Sequence, residues 1–365
     1  MGRKLVLGLI IMMLVILPVL VACSTTATTT TTATSKPSVA AAVATATTTA
    51  TATYELRLSA FMPPLVPQVK VYEQWASKIA EATNGRVKIT VFGGGTLIPM
   101  EDAVTDVKQG VVDMADFVLG EFTDQYPYNS LIGMPFAPMG DAEKGYNIWM
   151  QLREEFPEVK GEFDNDFKVL VRATTGSYAL HTQKEVHKPS DLKGVKIQSG
   201  GTMSDVMQSI GAAPMSLPTT DWYTSLERGL LEGLWNNWSS IYETKCYTFT
   251  KYHTVFPSGI NMGQTQVVMN LDVWNKLPSD IQQVFEDLSL WATETIREQA
   301  ETAANGAAKE AMIKEGHTII TLTSDEEQLW RDAAAPIIES YLSGLEAKGY
   351  TSAKAIYQEA LALAK

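Results

Sequence analysis

Residues 56–92 read LRLSAFMPPLVPQVKVYEQWASKIAEATNGRVKITVF, and the hydrophobic period changes twice within them. Tyr54 to Ala60 alternates apolar and polar residues, the pattern of a strand with one buried face. Val69 to Thr83 places Tyr72, Trp75 and Ile79 at helical spacing, Asn84-Gly85 is a helix stop, and Arg86 to Phe92 alternates again with Val87, Ile89 and Val91 on one face. Outward from this unit, Gly93-Gly94-Gly95 is a loop, Met100 to Gln109 a short helix stopped by Gly110, and Val111 to Val118 a third strand. Two strand–helix units in this order predict an α/β fold with a parallel sheet of the doubly wound type.

A second set of elements follows. Phe167 to Ala173 and Lys193 to Gln198 read as strands, Met203 to Ile210 and Trp222 to Gly229 as helices, and Gln266 to Asn270 as a further strand. A helix capped at Ser279 or Asp280 carries the stripe Ile281, Val284, Phe285, Leu288, Trp291 and continues to about Glu315, with a bend expected at Asn305-Gly306. At 1.5 Å per residue it is ~50 Å long, enough to brace two lobes. Asp325 to Tyr341 and Ser352 to Leu363 complete the chain as helices.

The 365 residues are 45% hydrophobic and 19% charged, which excludes wholesale disorder and a polytopic membrane protein. Lys and Arg number 29 against 41 Asp and Glu, a net charge of -12, so no nucleic-acid partner is expected. Arg3 and Lys4 precede the apolar run Leu5 to Leu20, too short for a spanning helix and typical of a secretory signal. Leu20-Val21-Ala22-Cys23 resembles the lipobox of bacterial lipoproteins. That resemblance implies a signal peptide over 1–22, lipid on Cys23, and an extracytoplasmic protein held to a membrane by its lipid anchor; an ordinary signal peptide or an uncleaved anchor is the alternative. Residues 24–53 are nearly all Thr, Ala and Ser and read, with Cys23, as a disordered tether spanning roughly 30 Å.

Catalytic signatures are missing. His181, His187, His253 and His317 lack metal-ligand spacing, the triple glycine is neither a Walker loop nor GxGxxG, there is no GxSxG elbow, and Cys246 is a lone cysteine read as a packed thiol. No cofactor, metal or catalytic residue is expected.

Taken in order, residues 56–92, GGGTL with Glu101, QGVVDMADF, SLIGMPFAP, KPSDLKGVKIQ, IGAAPMSLP, DWYTSLERGLLEGLWNNWSSIYETKCYTFTKY and VVMNLDVWNKLPSDIQQVFED resemble the TRAP transporter solute-binding proteins, the DctP family. The resemblance implies a two-lobed periplasmic-binding-protein-like fold, class II type and TRAP subtype, with a long helix spanning both lobes. On this basis lobe I takes 54–171 plus 264–300, lobe II takes 172–263 plus 301–342, and a C-terminal helix in 343–365 packs on one lobe. It also implies a binder rather than an enzyme, which delivers a small-molecule solute to a permease of one small and one large membrane subunit driven by an ion gradient.

The family's hallmark arginine at the end of the K-I-R strand is Gln198 here, and its second common arginine falls near Tyr178. A neutral amide bond is worth about 1 kcal/mol against ~1.5–3 for a charge-assisted one. Arg172, before the first expected lobe crossing, is the candidate replacement; a surface arginine or an interlobe salt bridge is the alternative. Asn236 falls on the family's cleft asparagine, Trp235 replaces an acid, and Phe61 lies on the ligand-side loop. With Trp222, Trp238 and Tyr178 these side chains are expected to wall an aromatic pocket, for a carboxylate with an apolar or aromatic part. The rival functions are a solute-binding lipoprotein of another transporter or of a sensory system, a surface hydrolase, and a structural envelope lipoprotein.

Overall fold

The computed structural model describes residues 52–365 except 138–139 and 261. The signal peptide, Cys23 and almost the whole tether therefore lie outside the described residues. Among the described residues, no helix is long and apolar enough to cross a membrane. Strands follow in chain order as β1 Tyr54–Ser59, β2 Val87–Phe92, β3 Met114–Val118, β4 Phe167–Thr174, β5 Ala179–Thr182, β6 Lys196–Gln198, β7 Ala213–Met215, β8 Gly233–Asn236, β9 Tyr252–Val255, β10 Gln264–Asn270 and β11 Thr318–Thr321. They form two sheets, ordered β2-β1-β3-β10-β4 and β11-β9-β5-β8-β6-β7, and these sheets are the cores of two lobes.

The quoted stretch folds as its periodicity requires. Pro67 presets the first helical φ of the helix Pro67–Ala82, and Asn84 and Gly85, at φ 52° and 75°, turn the chain out of it. Its buried face carries Tyr72, Trp75 and Ile79, with Trp75 edge-on to Phe285 at 5.8 Å. β1 then pairs in parallel with β2 and with β3. The expectation of a doubly wound parallel sheet holds only that far. β10 enters beside β3 antiparallel and pairs antiparallel with β4 as well, so the sheet is mixed. A chain that leaves for a second lobe and comes back re-enters the first sheet in the opposite direction.

Among the described residues, three passages that border the cleft link the lobes, from β4 to β5, from β9 to β10 and along the long helix; the chain returns once more near its end, from β11 to the helix Ala353–Leu363. β4 stays in the first sheet through Thr174, opposite Gln264, so the crossing lies after Thr174 rather than at the expected 171/172 boundary. The long helix runs over 279–314 with a π-helical segment, Ile296–Ala303, between Ser279–Thr295 and Ala304–Lys314. Its first part packs on the helix Pro67–Ala82 and β4, its last part on the helix Trp238–Glu243. The bend expected at Asn305-Gly306 is replaced by this π segment. Asn305 is built into the helix packing: its Oδ1 accepts the Ser239 N–H at 2.8 Å and its Nδ2 donates to the Glu301 carbonyl at 2.5 Å.

The helices Ala142–Glu155 and Pro157–Asp164, which the sequence reading left unassigned, cover the face of the first sheet opposite the helix Pro67–Ala82. The last helix, Ala353–Leu363, packs on Ala142–Glu155, and Lys144 Nζ donates to the Ala364 carbonyl at 2.5 Å.

The candidate solute cleft

Where the two sheets face each other, the lobes enclose a cavity of about 720 Å³. That lies within the ~300–1,000 Å³ typical of small-molecule sites. All three passages contribute to its walls: Thr175 and Tyr178 from the first, Met262 and Gly263 from the second, Ala300 and Glu301 from the third.

The first lobe supplies the loop after β1. Asp116 on β3 accepts the Phe61 N–H at 2.8 Å, and the glycine loop braces the same segment through Gly94 N–H to the Met62 carbonyl at 2.8 Å and Gly95 N–H to the Ala60 carbonyl at 3.0 Å. Gly94 and Gly95 sit at φ 74° and 64°, which explains the glycines as a turn rather than a phosphate cradle. Phe61 and Met62 thereby line the cleft.

The second lobe supplies Gln198 at the end of β6, Trp235 and Asn236 at the end of β8, and Trp222. Gln198 Oε1 accepts the Leu217 N–H at 2.9 Å, and Trp222 Nε1 donates to the Leu217 carbonyl at 2.9 Å, so the two residues clamp one loop. Asn236 Oδ1 accepts the Asn237 N–H at 2.8 Å. Both amide oxygens are thus engaged by backbone, which leaves the NH2 groups of Gln198 and Asn236 as donors for a solute. Trp235 is 3% exposed and lies edge-on to Phe256 at 5.7 Å, and its indole N–H has no partner among the described residues.

Phe61, Tyr178, Gln198, Trp222, Trp235 and Asn236 all line the cleft, and Arg172 does not. Val171 and Ala173 face the cluster around Trp75, so strand alternation turns Arg172 to the opposite side of β4. There Arg172 Nη2 donates to Asp164 Oδ1 at 3.2 Å, an acid shared with Arg153 at 3.1 Å. Burial and the neighbouring Arg153 draw Arg172 down to about 10. Trp238 is likewise absent from the cleft: it sits in the core of the second lobe against His181, with ring centroids 5.0 Å apart.

The sequence reading missed the acids. Glu101, Glu121 and Glu301 line the cleft, and among the described residues no Lys, Arg or His does. Glu301 is 6% exposed on the π segment, and burial pushes it up to about 7. Its Oε2 accepts Gly176 N–H at 3.2 Å and the amides of Asn237 and Asn305 at 3.4 Å. Glu121 is also raised, by burial. The Tyr178 hydroxyl lies within the field of both carboxylates, and burial with those charges drives it well above the phenol range. Helical periodicity marked Glu301 only as a polar position; the π segment, a common accompaniment of functional sites, carried no sequence signal.

Behind β8 the fold assembles three histidines that the chain keeps 72 and 64 residues apart. His181 Nε2 lies 3.2 Å from the Asn236 carbonyl, His181 Nδ1 2.7 Å from His253 Nδ1, His253 Nε2 2.9 Å from His317 Nδ1, and His317 Nε2 3.0 Å from Lys251 Nζ. The Asn236 carbonyl accepts and the lysine donates, so a single set of neutral tautomers satisfies the row, every proton pointing from Lys251 toward Asn236. Burial lowers His181 to about 4 and His253 to about 2. Among the described residues, no group of His, Cys, Asp or Glu forms a metal site. Cys246 is buried and raised by burial to about 11, a packed thiol.

The family model for bacterial extracellular solute-binding proteins, family 7 (DctP), matches residues 58–344. A monocarboxylate 2-oxoacid-binding periplasmic protein of Nostoc sp. is 27% identical over 281 residues, covering 74% of each chain. An ectoine/5-hydroxyectoine-binding periplasmic protein of Ruegeria pomeroyi is 25% identical over 287 residues, covering 78% of this chain and 84% of that one. A TRAP solute-binding protein of Rhodoferax ferrireducens, crystallised with copurified benzoate, superposes with a TM-score of 0.76 at 22% identity, covering 86% and 98%. The chain belongs to the DctP family of TRAP solute-binding proteins.

Proposed function

We propose that this member of the DctP family captures a small organic carboxylate with an apolar or aromatic part in the cleft. It then hands that solute to an ion-gradient-driven permease of one small and one large membrane subunit. The observation that carries the reading is the 720 Å³ cavity walled by three lobe-to-lobe passages. A solute that touches both lobes and the passages stabilises the closed arrangement over the open one by its differential contacts, which is the state a permease can read.

The aromatic walls supply most of the contact. Phe61, Tyr178, Trp222 and Trp235 cover the apolar part, and two of them are fixed by a neighbour: Asp116 for the Phe61 loop and the Leu217 carbonyl for Trp222. With glutamine at the family's arginine position and Arg172 turned away, the carboxylate is received by neutral N–H donors, those of Gln198 and Asn236. In this reading the protein acts as a receptor, as membership of a solute-binding family supports. We place lobe I at 54–174 plus 264–300 and lobe II at 175–263 plus 301–342. The Cys23 lipid and the 24–53 tether hold the receptor near its permease, which raises local concentration without new contacts.

Native mass spectrometry of the purified protein, followed by denaturation and identification of released small molecules, tests this. A released organic acid with an apolar or aromatic body is the expected result. Turnover of the released molecule by the protein would overturn the receptor reading.

A further inference from the structure

We infer that the solute also carries a positively charged nitrogen, seated against Glu301 and the aromatic walls, so that the natural cargo is a zwitterion rather than a plain organic anion. This rests on the cleft being the solute site.

The charge inventory of the cleft is one-sided. Three carboxylates line it, Glu101, Glu121 and Glu301, and among the described residues no basic side chain does. A simple organic anion entering there meets like charge and finds no cation to offset it. A cation meets the reverse.

Glu301 has the geometry for the contact. It is almost fully buried, yet all the side-chain hydrogen bonds it makes among the described residues fall on Oε2 and are long, at 3.2–3.4 Å. Oε1 has no hydrogen-bond partner among the described residues. A carboxylate held this loosely in a dry site is incompletely compensated, and a cationic N–H is the group that completes it. The surrounding rings favour the same charge. Trp222, Trp235, Phe61 and Tyr178 line the same cleft, where an aromatic face attracts a cation through its quadrupole, and Glu121 adds its field beside Tyr178. The donors that accept a carboxylate, the NH2 groups of Gln198 and Asn236, come from the ends of β6 and β8, whereas Glu301 comes from the long helix. The two ends of a zwitterion therefore have separate receiving groups on separate elements.

The test uses the full-length protein and calorimetric titration with sets of solutes that share one body and differ in charge. One set is phenylacetate, phenethylamine and phenylalanine; matched aliphatic and cyclic sets accompany it. The zwitterion is expected to bind at least tenfold tighter than its matched anion. Its affinity is expected to fall as pH drops from 8 to 6, because protonating Glu301 removes the partner of the cation. Glu301→Gln, nearly isosteric, is expected to weaken the zwitterion at least tenfold and to leave the anion unchanged or tighter. Glu121→Gln, at a more exposed position, is expected to weaken it a few-fold and serves as the check if Glu301→Gln misfolds. Anions that bind tighter than their zwitterions, and tighten further at pH 6, would overturn the inference, because Glu301 would then be a protonated donor to a carboxylate; the receptor reading would stand. If no member of any charge class binds and native protein releases nothing, the cleft reading fails, and the inference with it.

Discussion

The floor of the cleft and the core behind β8 bury titratable groups in opposite ways. Glu301 in the cleft, and Asp116 on β3 behind the Phe61 loop, are acids raised to about 7, whereas His181 and His253 are bases lowered to about 4 and about 2. The cause is the same in both places: burial disfavours the charged form. The compensation differs. The histidine row closes on itself through neutral hydrogen bonds running from Lys251 to the Asn236 carbonyl. Glu301 is left half-satisfied at a surface a solute can reach. A sealed polar cluster contributes stability, and an open one contributes affinity that only a ligand of the right charge can realise.

The largest effect should come from breaking the sealed side. His253→Ala removes the middle ring, leaves a cavity and strips partners from two buried nitrogens, at a cost of about 3–5 kcal/mol in denaturant unfolding. Solute affinity at pH 7.5 should stay within about twofold by calorimetry, since His253 does not line the cleft.

Glu301→Gln should move stability the other way. A carboxyl whose folded pKa is raised binds more protons folded than unfolded, so its contribution is present below about 4.5 and is lost as pH rises through about 7. At pH 8 the solute-free variant is expected to be more stable than the parent by on the order of 1–3 kcal/mol, read from urea midpoints.

A pH scan of unfolding separates the two regions. For the histidines the folded pKa is depressed, so the unfolded chain binds more protons below about 6.5, down to about 4 for His181 and about 2 for His253, and stability is lost as pH falls through those windows. The acidic loss should flatten in His253→Gln, and the loss between pH 5 and 8 should shrink in Glu301→Gln to the share that Asp116, also raised to about 7, contributes. Identical scans for parent and both variants would abolish the comparison.

Smaller effects sharpen its edges. A Cβ on Gly263 would lie 2.5 Å from the Tyr178 hydroxyl, so Gly263→Ala should displace that ring and weaken solute binding about fivefold, at a cost of roughly 1 kcal/mol. Arg172→Ala should cost only about 1 kcal/mol and leave solute affinity unchanged, because Arg153 keeps Asp164 paired.

Sequence and structure agree where the signal is local. The helix Pro67–Ala82 and its flanking strands were legible from period, proline and the Asn84-Gly85 stop, because each is decided by residues a few positions apart. Phe61, Tyr178, Gln198, Trp235 and Asn236 were expected at the cleft through resemblance to the family and Trp222 as an aromatic wall, and all six line it. Arg172 was misread because a position next to a crossing does not say which face of β4 the side chain takes, and alternation sent it to Asp164. The acids and histidines were not legible at all. Glu301 is separated from its partners Gly176 and Asn237 by 125 and 64 residues, and the histidine row joins His181 and His253, on two strands, to His317 just before β11.

By itself the sequence determined an α/β chain with a cleft-type family signature and an overall acidic charge, since periodicity, composition and ordered motifs are properties of neighbours along the chain. Only the tertiary structure decided the electrostatic character of the cleft, which arginine is absent from it and which acids are present. Charge at a site depends on which side chains are brought together and how much water is removed from them, and both are set by contacts between residues far apart in the chain.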